Sequence, residues 1–165
     1  MDGYPLLTRL IHENLSVVMC FAYSRKPLVE LMDDFEGDWK YLNTALFEIS
    51  EQRAEKACLA LALILRTLDD EQKCLTSTAR FPLCGNLVMN DGSDEVLLLR
   101  EVANKVIHSS HLEWNFSGPQ PFLVCHATPE QIEKWKWVRA AVNVVALAAH
   151  CGDLMAQLGC PLPRG

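Results

Sequence analysis

Several things are scarce in this chain of 165 residues, and each scarcity removes a class of protein. The longest purely apolar run, residues 57–65, is far short of the roughly 20 residues that cross a bilayer as a helix, so no membrane partner is expected. Eight glycines and eight prolines are too few for a fibrous or low-complexity chain. No run of five like charges occurs, which excludes a charged interaction tail. Basic residues are outnumbered, 15 Lys and Arg against 21 Asp and Glu, giving a net charge of -6. Broad capture of nucleic acid needs clustered cations and is disfavoured, although a local basic groove is not. Met-Asp-Gly-Tyr-Pro has neither the basic segment nor the adjoining apolar stretch of a signal peptide, so a cytoplasmic location is expected.

Seven cysteines are present, an odd number with no Cys-x-x-Cys pair. Reduced thiols that pack as small hydrophobes are the expectation. Cys125-His126 and His150-Cys151 could join Cys84 around zinc, but the short repeated spacings of such sites are missing. Glu48, Glu51 and Glu55 share one side of a helix without the Glu-x-x-His motif of di-metal bundles. No cofactor and no metal are therefore expected.

A half-apolar composition with 22% charged residues fits one globular domain over 1–165. Leu7, Ile11, Leu15, Val18 and Ala22 recur at three- and four-residue steps, an amphipathic helix over 6–23 that Pro27 kinks or ends. Residues 39–69 lack Gly and Pro and read as the central helix. Residues 70–93 read as an irregular connection, followed by a helix from Glu95 to His111. The segments 112–116 and 122–126 flank Ser-Gly-Pro-Gln-Pro and read as a hairpin. Thr128-Pro129-Glu130-Gln131 is a capping-box start for a last helix reaching about Leu158. Trp135 and Trp137 lie about 200° apart on such a helix, so one face cannot bury both. The expectation is a mainly α protein: a bundle of roughly four or five helices with one small β-hairpin before the last helix.

The chemistry-bearing stretch is Arg100-Glu101-Val102-Ala103-Asn104-Lys105-Val106-Ile107-His108-Ser109-Ser110-His111. On one helix Arg100, Asn104, His108 and His111 fall at about 0°, 40°, 80° and 20°, a single polar stripe. A guanidinium, an amide and two imidazoles can bind an anion and move a proton near neutral pH. The same residues also suit a structural role: Arg100 paired with a glutamate of the central helix, Asn104 on backbone, the histidines at a helix end.

An Arg-polar-spacer-His motif on a late helix of a bundle resembles the higher eukaryotes and prokaryotes nucleotide-binding (HEPN) superfamily, with Arg100-Glu101 and His108 as the matching residues. That resemblance implies an all-helical fold, a homodimer and a metal-independent RNase or nucleotide-binding protein, such as a toxin of a toxin-antitoxin pair. His108 would then serve as general acid or base and Arg100 would stabilise phosphate charge. Asn104 would orient the phosphate, Glu101 would set a histidine tautomer, and His111 would be a second proton carrier. RNA or a nucleotide is the implied partner. Two other readings stand beside it: a non-catalytic dimeric interaction protein of antitoxin type with a protein partner, and a small-molecule-binding bundle with a pocket lined by Trp114, Trp135 and Phe122.

Overall fold

The computed structural model describes residues 3–34, 40–72, 75 and 83–159. The architecture is α+β, and this corrects the expected helical bundle: a five-stranded antiparallel sheet lies at its centre, in the order β2-β1-β5-β4-β3. The all-helical fold that the HEPN resemblance implies is not the fold of this chain.

The first half is helical, close to expectation. α1 spans Gly3–Asp33 and continues through Pro27. The carbonyl that Pro27 leaves without a helical partner belongs to Tyr23, whose residue is 48% exposed, so water can satisfy it and the helix need not break. A single turn, α2 (Lys40–Asn43), passes through a π-helical stretch (Thr44–Glu48) into α3, Ile49–Gln72.

The second half departs from expectation in three places. β1 (Gly85–Met89) and β2 (Asp94–Leu97) form a hairpin where a loop and a helix start were expected. Its turn is built by Asn90-Asp91-Gly92: Asp91 Oδ1 accepts from the Ser93 amide at 2.8 Å, and Gly92 takes a positive φ of 83°. α4 consequently begins only at Leu99 and ends at His108. The expected hairpin is present as β3 (His111–Asn115) and β4 (Phe122–His126), but as one edge of the larger sheet.

The expected last helix is three elements. α5 (Pro129–Trp135) starts on the anticipated capping box, with Thr128 Oγ1 accepting from the Gln131 amide at 3.3 Å and Gln131 Oε1 from the Thr128 amide at 3.0 Å. Lys136 then adopts a left-handed conformation, φ 62°, and the chain runs out as β5 (Trp137–Asn143) before α6 (Val144–Gly159). β5 is paired on both sides, by β1 and β4, so its backbone is satisfied by segments far away in sequence. A bulge at Val138 lets Trp137 and Ala140 both face the core. Helix at Trp135 and strand at Trp137 also explain the tryptophans: Trp137 is 2% exposed, Trp135 51%.

One face of the sheet is covered by helices. Leu123 of β4 packs with Cys58 and Leu61 of α3, Val102 of α4 and Leu147 of α6, while Phe21 of α1 meets Trp114 of β3 edge-on at 5.0 Å. The alternate residues, among them Asn86, Asp94, Glu113, Arg139 and His111, occupy the other face and are exposed.

Candidate functional site

The polar stripe of the sequence divides between two structural tasks. Arg100 and Asn104 turn towards α3. Arg100 Nε lies 3.2 Å from Oδ2 of Asp69, whose side chain is completely buried, although the N–H does not aim along the contact. The other oxygen of Asp69 accepts from the Leu75 amide at 2.9 Å. Asn104 Oδ1 accepts from Arg66 Nη1, and Arg66 Nε pairs with Asp70 at 3.1 Å. These bonds lock α4 onto α3. The structural role weighed for Arg100 therefore exists, but its partner is Asp69 and not a glutamate.

Glu101 has a local task. Its Oε2 accepts from the Leu98 amide at 3.1 Å, capping the N-terminus of α4, where a carboxylate is favoured. His111 leaves the stripe altogether: it sits in β3 because α4 stops at His108. There it stacks on His126, ring centroids 4.2 Å apart, on the open face of the sheet.

His108 remains, and it does not stand alone. It lines a pocket of about 270 Å³ with Asn104 and Lys105 of α4, Trp135 of α5 and Trp137 of β5. Gln131 Nε2 donates to the His108 carbonyl at 2.6 Å and so ties the end of α4 to α5. Lys105 Nζ sits 4.4 Å from the Trp137 ring centroid, a cation over an aromatic face. Burial lowers the Lys105 pKa, opposed by the nearby carboxylates of Glu101 and Glu95. On the rim, Lys134 Nζ is 5.1 Å from the Trp135 ring centroid. Because Asn104 Oδ1 is engaged by Arg66, its amide N–H groups are the part left for a ligand. The pocket thus offers one imidazole, one ammonium, one amide donor and an exposed indole face, on an otherwise acidic protein.

Two further sequence readings fail on strand geometry. Cys125 faces the core and His126 the open side, as neighbours in a strand must, so they cannot share a zinc with Cys84. Cys84, Cys125 and Cys151 are buried thiols whose pKa burial pushes up to about 12. Trp114, Phe122 and Trp135 do not converge either: Trp114 is in the core, Phe122 alternates to the open face, and Trp135 is on α5.

Lys134 and Lys105 were outside the residues singled out from the sequence, and Trp135 was singled out only with Trp114 and Phe122, not with His108 and Asn104. Their signal was Trp-Lys-Trp following a short capped helix, legible only once the chain is known to change from helix to strand there. No protein-family model, no curated protein and no solved structure matches this chain. Among the described residues, no helix is long and apolar enough to cross a membrane.

Proposed function

We propose that the protein binds a small anionic ligand carrying a planar ring, of the nucleotide class, in the pocket between α4 and the α5–β5 junction. The observation that carries this reading is Trp135, half exposed, beside His108, Lys105 and Asn104 in one pocket. An exposed indole supplies a stacking surface, and a cation with an amide donor supplies the phosphate contacts. The reading is one of binding and not of RNA cleavage, because the guanidinium that cleavage would need is held by Asp69 and Arg100 does not line the pocket. A cytoplasmic setting belongs to the same proposal: the five described cysteines are free thiols, which suits a reducing compartment.

The test is calorimetric titration of the protein with adenosine 5′-monophosphate, adenosine and inorganic phosphate. Saturable binding of the monophosphate, weaker for either fragment and quenching tryptophan fluorescence, is the expected result. Absence of saturable binding by every mononucleotide overturns the reading.

A specific observation also favours a homodimer. Leu59 and Leu63, one turn apart on α3, are 41% and 49% exposed, an apolar stripe that a second copy would cover. Light scattering that finds a monomer at all concentrations removes this second reading.

A further inference from the structure

The open face of the sheet carries a cluster that the pocket does not use. His111 and His126 are direct partners across β3 and β4, and their rings are nearly parallel, 6° apart. Glu113 is two residues along β3 and therefore on the same face; its Oε2 is 2.8 Å from His126 Nε2. One donor atom from each residue lies within 4.8 Å of the other two. We propose that His111, Glu113 and His126 form a site for a transition-metal dication of the zinc class.

The hydrogen bonds around the cluster prepare the imidazoles for this. Ser110 Oγ has one proton, which it donates to the His126 carbonyl at 3.0 Å. With that proton on the carbonyl, its contact of 3.2 Å with His111 Nδ1 is an acceptance, and this tautomer leaves the Nε2 lone pair for a metal. This is the orienting bond that metal-ligating histidines characteristically make. His126 donates through Nε2 to Glu113; a dication binds Nε2 in place of that N–H as the neutral ring's proton shifts through solvent to Nδ1, and takes the Glu113 carboxylate as a second ligand, with no net proton released. Zinc–nitrogen bonds of about 2.0–2.1 Å put tetrahedral ligand atoms about 3.3 Å apart. The Glu113–His126 contact of 2.8 Å opens to that and the other separations, all within 4.8 Å, close to it by rotation of the exposed His111 and Glu113 and the partly exposed His126 side chains. Two imidazoles and one carboxylate select zinc-like ions over calcium or magnesium, which take all-oxygen sets. Three protein ligands leave a further position open to water.

The test is titration of the reduced 165-residue chain with zinc chloride, followed by calorimetry and by imidazole ¹H–¹⁵N spectra. One zinc per chain is expected, with the His111 and His126 resonances shifting. The double substitution His111→Gln/His126→Gln should weaken binding by at least about tenfold while leaving the circular dichroism spectrum intact. Should that variant misfold, Glu113→Gln decides alone, since Glu113 is 61% exposed and its loss leaves the core untouched. Undiminished affinity in a folded variant, or zinc held at the exposed thiol of Cys20 with both imidazole signals unmoved, overturns the proposal.

Discussion

Arg100 on α4 meets the fully buried carboxylate of Asp69 on α3, Nε to Oδ2 at 3.2 Å, while Arg100 itself keeps 38% of its side chain exposed. The two ends of this pair are therefore unequal. Arg100→Ala strands a buried charge and should destabilise by about 3 kcal/mol. Asp69→Asn keeps an acceptor for the Leu75 amide and frees a guanidinium that can reach water, and should cost about 1 kcal/mol. Urea denaturation of both variants checks the order; equal costs would show that the pair does not hold the helices together.

The pocket separates stacking from charge. Trp135→Ala should weaken mononucleotide binding by about 1–3 kcal/mol and leave folding unchanged, because the side chain is half exposed. Lys105→Met should lose affinity chiefly at low salt, where an ammonium–phosphate contact counts most. His108→Ala should reduce affinity and Arg100→Lys should not. Calorimetry at two salt concentrations tests the set.

Gly85 is the glycine that the sheet cannot replace. Its φ is +147°, and a Cβ there would lie 1.9 Å from the Ala141 carbonyl oxygen of β5. Gly85→Ala should cost at least about 3 kcal/mol and give little soluble protein, because backbone, not a flexible side chain, blocks the methyl group. A variant with an unchanged melting temperature would place β1 differently against β5.

Alkaline pH should unfold this protein early. Cys84, Cys125 and Cys151 hold their protons up to about pH 12 in the folded state, against an ordinary value of 9.0, because burial disfavours the thiolate. The folded form thus binds more protons than the unfolded one between those limits, so the stability is complete below pH 9 and falls as pH rises. The slope should reach about 1.4 kcal/mol per pH unit for each such cysteine. Below pH 9, of the five described cysteines, Cys20 alone should react with a thiol reagent in the native state.

How much of this was legible in the residues follows the range of the interactions. α1, α3 and the Thr128 capping box are governed by contacts within four residues, and their signals were readable. So was the β3–β4 hairpin, from two β-prone runs around a proline turn. The Asp91-Gly92 turn was read as a loop although it closes the β1–β2 hairpin, a signal present and passed over. Asn143 was another: its Oδ1 accepts from the amides of Val145 and Ala146, both at 3.0 Å, and so marks a helix start inside what spacing alone presents as one continuous helix.

Composition and local pattern decided that this is a folded domain with long helices, a capped α5 and polar residues around 100–111. What they could not decide is the fate of 137–143, because Ile132, Trp135, Val138 and Val142 suit a helical period as well as they suit a helix followed by a strand. Pairing with β1 and β4 settles it, through hydrogen bonds to chain segments remote in sequence. That one conversion places Trp137 under Lys105, whereas the register of the β3–β4 hairpin puts His126 and His111 side by side on the open face. The histidine cluster exists because a strand alternates its side chains between two faces, and the pocket because the chain leaves α5 at Lys136 instead of continuing as a helix.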